Sequence, residues 1–300
     1  MSHPLTPATA LMLVIPPLLW AGNAVVGRLV NDLVPPLTLN FIRWLIALVI
    51  LLPFAWSGRH HLPVLWRNWR PLTWLGLLGI GMYNALQYMA LQSSSPLNVT
   101  LVGASMPVWM LLIGRLFFGS TVSGRQAAGA LLSILGVLIV LCRGDWNELL
   151  EMRLLPGDVY MIIATIAWSF YSWLLARSKL PQELKSNWAA FLFAQVSYGT
   201  LWAGLFTVGE WSFSTPEIHW GLPLVAALLF VAIGPAVVAY RCWGLGVQRV
   251  GPDIAVFFVN LTPLFAALLS LTFLGEPPRL FHALAFILIM GGILLSSRRR

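Results

Sequence analysis

The chain has 300 residues, of which 59% are hydrophobic and only 9% are charged, and its mean hydropathy is +0.82. Soluble globular proteins carry charged side chains at about a quarter of their positions, so this composition excludes a soluble globule and predicts a chain solvated mainly by lipid. The formal charge of +8 does not indicate nucleic-acid binding, because the basic residues lie at the ends of apolar stretches and are not interleaved with aromatic residues. We therefore expect membrane lipid, and no nucleic acid, among its partners.

Ten apolar stretches recur along the chain, each long enough to cross about 30 Å of hydrocarbon as a helix that rises about 1.5 Å per residue. They are continuously apolar rather than alternating, which favours helices over a transmembrane barrel. The first lacks a preceding Lys or Arg and a cleavage site, so we interpret it as a retained span rather than a signal peptide. The predicted spans are about 8–30, 38–56, 71–92, 97–118, 124–142, 157–177, 187–207, 221–244, 252–274 and 279–297.

The charges in the connections predict the orientation, because short cytoplasmic loops collect Lys and Arg. One alternate set of connections is basic and carries Arg59, Arg67, Arg70, Arg115, Arg125, Arg177, Lys179, Lys185, Arg249 and Arg298 to Arg300. The other set is mainly acidic and carries Asp32, Asp145, Glu148, Glu151, Asp158, Glu210, Glu217 and Glu276. An even number of spans with both termini in the cytoplasm fits every loop.

A weak internal repeat divides the chain into residues 1–150 and 151–300. A shift of 156 positions superposes Gln92 on Gln248, Pro96 on Pro252, Pro107 on Pro263, Gly119 on Gly275 and Gly136 on Gly292. Each half then contains five spans, and because five is odd the second half enters the membrane from the opposite side. Inverted repeats of this kind support alternating access, with a site near the midplane where the halves meet.

Several motifs in the second half resemble a known family. Pro156-Gly157-Asp158, followed by Ala167-Trp168 and Tyr171, is similar to the sixth span of the EamA-type, ten-span transporters of the drug/metabolite transporter superfamily. Gly251-Pro252, Leu274-Gly275-Glu276 and Gly291-Gly292 are similar to the ninth and tenth spans. With Trp20-Ala21-Gly22-Asn23 in span 1, the chain is most similar to bacterial inner-membrane exporters of aromatic amino acids. The resemblance implies efflux of amino acids and related metabolites. The first half departs from it where Gly119-Ser120-Thr121 replaces the Gly-Glu pair.

Polar side chains inside spans are the first candidates for a binding site, because they are costly in hydrocarbon unless they face protein or water. In span 3, Tyr83, Asn84 and Gln87 share a broad face of one helix. They are predicted to line a solute cavity, and the alternative is that they form hydrogen bonds that only hold the bundle together.

Two aromatic pairs have the same spacing in comparable spans. Trp20 and Asn23 lie three apart in span 1, and Trp168 and Tyr171 repeat that spacing in span 6. Inverted copies would bring both pairs to a common centre, where large rings could shape a pocket for an apolar or aromatic side chain. The alternative is that these tryptophans are interface anchors, as most of the fifteen are expected to be.

Prolines inside spans predict bends, because each removes an intrahelical hydrogen bond. We predict hinges or gates at Pro107, Pro235 and Pro263, and further substrate-binding residues beside them at Ser105, Tyr240 and Asn260. Purely structural kinks are the alternative. Arg43 and Arg241 could meet a substrate carboxylate, but both are expected to snorkel to an interface.

The absence of any Asp or Glu near the middle of a span predicts facilitated rather than ion-driven transport. We expect no cofactor and no metal, because no ligand cluster has the required spacing. The chain is expected to be a monomer or a homodimer in the bacterial inner membrane. Two alternatives stay open: an exporter of lipophilic cations or drugs, and, with less support because no catalytic motif is present, a membrane-embedded enzyme.

Overall fold

A computed structural model of the chain describes residues 5–56, 64, 67–94, 99, 102–142, 145, 147, 155–181, 187–214, 217–274 and 280–297. Within these ranges the regular structure is helical throughout and contains no β-strand. Helices satisfy their own main-chain groups, which is what a chain surrounded by hydrocarbon requires. The predicted all-α class is therefore confirmed.

The described helices have the following bounds along the chain. In the first half they are α1 Pro7–Leu29, α2 Pro36–Trp56, α3 Trp69–Gly76, α4 Tyr83–Ser93, α5 Met106–Phe118 and α6 Gly124–Leu141. In the second half they are α7 Pro156–Arg177, α8 Trp188–Phe213, α9 Leu222–Val231, α10 Ala239–Val250, α11 Pro252–Ala255, α12 Leu261–Leu274 and α13 Leu280–Ser297. Two π-helical segments join α3 to α4 at Leu77–Met82 and α9 to α10 at Ala232–Val238, and a 3-10 segment joins α11 to α12 at Val256–Asn260.

Six of the described helical segments are long and apolar enough to cross a membrane, by length and composition. They are Pro7–Leu29, Pro36–Trp56, Pro156–Arg177, Trp188–Phe213, Leu222–Val250 and Pro252–Leu269. Shorter apolar helices accompany them at Met106–Phe118, Gly124–Ile139 and Ala283–Ser297. The number of crossings and the orientation stay predictions. The predicted span starts at 97 and 279 lie outside the described residues, as do these charged loop residues: Arg59, Glu148, Glu151, Lys185, Glu276 and Arg298 to Arg300.

The predicted midspan bends at Pro107 and Pro263 take a different form from the one expected. Pro107 is at the start of α5, where its missing N–H has no helical partner to lose. A tight turn precedes it, because the Ser105 N–H donates to the Val102 carbonyl at 3.0 Å and the Val108 N–H donates to the Ser105 carbonyl at 2.9 Å. Pro263 likewise lies in the first turn of α12, which begins at Leu261 directly after the 3-10 segment. Each proline therefore lies at the start of a helix after a break, rather than bending a continuous one.

The most extensive helix packing pairs a helix of the first half with one of the second. α2 packs along α8, α4 along α7, α6 along α13, and α1 against α10 and α12. The α6–α13 contact confirms the close packing that small residues predict: a Cβ added to Gly129 would lie 2.8 Å from the Gly292 carbonyl oxygen. Within the described residues the two halves thus pack against each other, and the larger hydrophobic core contains side chains from both.

The end of α8 also holds the beginning of α2. The Glu210 carboxylate accepts hydrogen bonds from the Leu37 and Thr38 main-chain N–H groups at 2.9 and 2.8 Å, and from the Thr38 hydroxyl at 2.6 Å. A carboxylate at a helix N-terminus satisfies N–H groups that have no partner within the helix and interacts favourably with the helix dipole. Glu210 therefore acts as a cap supplied by another helix.

Candidate functional site

A cluster of aromatic rings lies where helices of the two halves meet. Trp168 of α7 is its centre and is only 1% exposed. Its ring centroid lies 4.7 Å from that of Tyr83, 5.0 Å from Tyr171, 5.2 Å from Trp20, 5.4 Å from Tyr240 and 5.5 Å from Trp243. Trp44 completes this aromatic cluster, 4.9 Å from Tyr240. The structure thus brings together five of the side chains that the sequence singled out, namely Trp20, Tyr83, Trp168, Tyr171 and Tyr240.

A buried arginine lies beside the aromatic cluster. Arg43 of α2 is 0% exposed, and its Nη1 donates to Asn23 Oδ1 at 3.2 Å, Asn84 Oδ1 at 3.0 Å and the Tyr88 hydroxyl at 2.7 Å. The Asn84 amide in turn donates to the Tyr240 hydroxyl at 3.1 Å. Asn23 and Asn84 are therefore buried and both orient the guanidinium, and their role in binding a solute stays a prediction.

The expectation that Arg43 snorkels to an interface is wrong. α2 begins at Pro36, so Arg43 lies about 10 Å along the helix. Its guanidinium carbon also lies 5.0 Å from the centroid of the Trp44 ring. The signal that could have identified it is simply an ionisable residue inside a span, which marks a functional site by default. Arg241, by contrast, is exposed and stacks 3.9 Å from the Trp188 ring centroid.

Both π-helical segments accept hydrogen bonds from side chains at this centre. The Trp20 indole donates to the Pro235 carbonyl at 3.4 Å, and the Tyr240 hydroxyl donates to the Gly79 carbonyl. The Asn40 amide donates to the Ile80 and Gly81 carbonyls at 3.2 and 3.3 Å. A π turn changes the main-chain hydrogen-bond pattern of a helix, and such segments recur at functional sites. Pro235, a predicted hinge, is therefore in direct contact with the aromatic cluster.

Three predicted binding residues do not join the cluster. Gln87 is half-buried and forms no hydrogen bond with the cluster. The Ser105 hydroxyl donates to the Val102 carbonyl at 2.5 Å and accepts from the Trp109 indole at 3.1 Å. Asn260 is 1% exposed, and neither of its side-chain polar atoms has a hydrogen-bond partner among the described residues. The binding role of all three stays a prediction.

Trp44, Tyr88 and Trp243 belong to the site but were not selected from the sequence. Tyr88 lies four residues after Asn84 on α4, so a helical spacing from a selected residue would have pointed to it. Nothing in the sequence distinguishes Trp44 and Trp243 from the tryptophans that face lipid.

Two cavities differ in size and in their distance from the aromatic cluster: the larger one is not lined by cluster residues, and the smaller one is. A cavity of about 960 Å³ lies between the ends of α4 and α8 and the loop before α2, and its lining includes Asp32, Tyr160 and Glu210. None of the predicted site residues lines it. A second cavity of only about 30 Å³ reaches Tyr171 and Tyr240 from the side of Trp188 and Arg241. That volume is about one water molecule, so the rings leave little room at the centre in this conformation.

Residues 7–142 and 155–298 match the profile of the EamA-like transporter family. The chain belongs to this family. It is 27% identical to a protein of Archaeoglobus fulgidus named an uncharacterized transporter, over 97% of this chain and 98% of that one. It is 24% identical to the inner membrane transporter YedA of Escherichia coli, over 93% of this chain and 87% of that one, which is likewise named uncharacterized. The EamA-like chain is therefore a multi-pass membrane transporter.

Two more distant similarities bear on substrate and fold. The chain is 24% identical to the aromatic amino acid exporter YddG of Ancylobacter novellus, over 93% of each chain. A protein of known crystal structure superposes with a TM-score of 0.76 at 21% identity, over 97% of this chain and 96% of that one. This second similarity concerns the fold alone.

Proposed function

We propose that this EamA-like transporter exports amino acids, aromatic and other apolar ones, and related small metabolites by alternating access. The observation that carries the proposal is the aromatic cluster with Arg43 beside it, buried where the two halves meet. Trp20 and Tyr83 of the first half contact Trp168 of the second, so separating the halves would divide the cluster. A solute could then bind among the rings, and closure on either side would expose it to the opposite face.

Two observations support ten crossings arranged as an inverted repeat of residues 1–150 and 151–300. The family profile matches the chain twice, once in each half. The two π-helical segments also fall into register, because a shift of 156 residues carries Leu77–Met82 onto residues 233–238 of the segment Ala232–Val238. A local irregularity repeated at the same place is better explained by duplication than by chance.

The chemistry of the centre favours apolar and aromatic amino acids. Tryptophan and tyrosine rings provide apolar walls with polar edges, and Asn23, Asn84 and Arg43 provide groups that can bind a carboxylate or an ammonium. The buried charge of Arg43 disfavours the alternative of lipophilic cations, because like charges repel strongly where water is excluded. The relative named an aromatic amino acid exporter is consistent with this choice.

The small volume at the centre supports a closed conformation for the described structure. A cavity of about 30 Å³ holds about one water molecule and no amino acid. We propose facilitated transport in the bacterial inner membrane, with both termini in the cytoplasm and a monomer or homodimer as the working unit. Uphill accumulation driven by a pH gradient alone would refute the facilitated mechanism.

Vesicles that contain the purified protein provide the test. We expect counterflow of phenylalanine, tryptophan or leucine, and a loss of about tenfold or more for Trp20→Ala, Tyr83→Ala and Trp168→Ala, since each removes more than 1.4 kcal/mol of contact with the solute. Trp74→Ala is the matched control, because Trp74 is 57% exposed on α3. This variant should transport normally. Normal transport by all three cluster variants would show that the site lies elsewhere.

A further inference from the structure

The guanidinium of Arg43 has one side occupied and one side open. Its Nη1 supplies all three hydrogen bonds to Asn23, Asn84 and Tyr88. Its Nε and Nη2, both buried, have no partner among the described residues. These two nitrogens form the edge of a guanidinium that binds a carboxylate with two parallel hydrogen bonds. The unoccupied edge is therefore the one that suits a carboxylate.

Among the described residues, no carboxylate compensates the charge of Arg43. Its hydrogen-bond partners are neutral oxygens, and within the described ranges no carboxylate forms an ion pair with it. A fully buried cation without a counter-ion is strongly unfavourable. Such a residue is retained inside a span when it serves a function.

Other unpartnered donors lie in the same region. The indole N–H groups of Trp44 and Trp168 are buried and without acceptors among the described residues. Trp44 contacts the Arg43 guanidinium, and both tryptophans contact Tyr240. Unpartnered donors together with a positive charge fit a ligand that brings acceptor oxygens and a negative charge.

From this we propose that Arg43 binds the carboxylate of the transported solute through its Nε and Nη2, so that an anionic carboxylate is required for recognition. The inference rests on the proposed transport function and restricts its substrates to solutes that carry a carboxylate. The other rings of the aromatic cluster, which begin 4.9 Å from Trp44 at Tyr240, would then contact the apolar part of the same solute. Amines and esters that lack a free carboxylate would be poor substrates even when their rings are identical.

The first experiment compares ligands on the unmodified protein in vesicles and in detergent. The probes are phenylalanine, 3-phenylpropionate, phenylalanine methyl ester and phenethylamine, scored by inhibition of counterflow and by stabilisation against heat. We expect the two carboxylates to bind at least about tenfold more tightly than the ester and the amine, a difference typical of one bidentate charged contact. Equal binding of the ester would overturn the proposal.

The second experiment changes Arg43 itself. Arg43→Gln should weaken binding of both carboxylates about tenfold or more while leaving binding of phenethylamine unchanged or stronger. Arg43→Lys keeps the charge but not the two-nitrogen edge, so an intermediate loss is expected. Arg70→Gln is the control, because this exposed arginine stacks on the Trp69 ring at the start of α3. If neither Arg43 variant folds, the ligand comparison on the unmodified protein decides.

The outcomes separate the two proposals. Transport of phenylalanine that is unaffected by Arg43→Gln, in a folded variant, would refute carboxylate recognition and leave amino acid export intact. Binding of 3-phenylpropionate that depends on Arg43, without transport of any amino acid, would support carboxylate recognition and refute amino acid export. If no carboxylate among the probes binds the unmodified protein, the role of Arg43 is refuted.

Discussion

At the scale of single residues, the site depends on how closely Trp168 and its neighbours approach the main chain. Tyr171 lies against Gly79 in the first π-helical segment, and a Cβ at that glycine would be 2.6 Å from Tyr171 Cδ2. Tyr240 donates to the carbonyl of the same residue. Gly79 therefore lets two rings of the cluster approach the helix backbone at one point.

The first prediction concerns this glycine. Gly79→Ala should displace the Tyr171 ring and destabilise the protein by about 1–3 kcal/mol, the usual cost of overpacking a buried site. The midpoint of thermal unfolding in detergent measures the loss of stability. The variant should also transport more slowly. Gly209→Ala is the control, because no atom lies within 4 Å of its added Cβ. Because Gly209 lies inside a helix, its replacement by alanine should stabilise the folded protein by up to about 1 kcal/mol.

The polar residues of the site could be predicted only in part, and the buried position of Arg43 was not predicted. Hydropathy identifies a span by its average, so a single arginine in an apolar stretch does not reveal whether it faces lipid, water or protein. Asn23 and Asn84 were selected by their depth, and depth was enough because both are buried. Asn260 is equally buried, but its side chain has no hydrogen-bond partner among the described residues, so burial alone does not identify a residue of the cluster.

At the scale of helices, several starts were predictable because apolar runs in lipid must be helical, but the predicted ends at 207 and 244 were wrong, since α8 continues to Phe213 and α10 to Val250. α1 and α7 begin within one residue of the predicted starts at 8 and 157. Changes in the hydrogen bonding of a helix were not predictable. The sequence of Leu77–Met82, LLGIGM, has the composition of any transmembrane helix, yet it forms a π-helical segment.

The second prediction tests the α6–α13 contact with neighbouring glycines. Gly292→Ala should destabilise by about 1–3 kcal/mol, because its Cβ would meet Ser133 and lie 2.6 Å from the Gly129 carbonyl oxygen. Gly291→Ala is the matched control, since its Cβ would meet only the end of the Leu132 side chain, at 3.2 Å. Unfolding midpoints of the two variants in detergent should therefore differ. Equal midpoints would mean that this helix contact is looser than described.

At the scale of the whole molecule, the hydrogen bonds that join the halves include two pairs that lie far from the aromatic cluster along the chain. Ser94 donates to Asp158 between α4 and α7, and Gln126 donates to Asp253 at 2.8 Å between α6 and α11. In the proposed orientation the first pair lies near the outer face and the second near the inner face. Alternating access requires the halves to separate at one of these places at a time.

The third prediction follows from this requirement. In a protein whose two native cysteines are replaced by serine, Ser94→Cys combined with Asp158→Cys should form a disulfide on oxidation. The cross-link should stop transport, because the outer ends of the halves could no longer separate, and a reductant should restore it. Ser94→Cys alone is the control and should be insensitive to oxidant. Full transport by the cross-linked protein would contradict alternating access between these halves.

The π-helical segment Leu77–Met82 has one more consequence, which concerns rotation. Each residue of an α-helix turns the chain by about 100°, so one extra residue accommodated in a π turn rotates everything beyond it by that amount. Asn84 and Tyr88, which follow the segment, face Arg43 only with this rotation in place. If the segment became regular α-helix with all its residues kept, both side chains would turn by about 100° away from the guanidinium, whereas deleting one residue between 77 and 82 would restore a regular helix and leave their direction unchanged. The segment thus fixes the direction in which the side chains of α4 point. Its counterpart before α10 does the same for Tyr240, so both helices present side chains to the aromatic cluster.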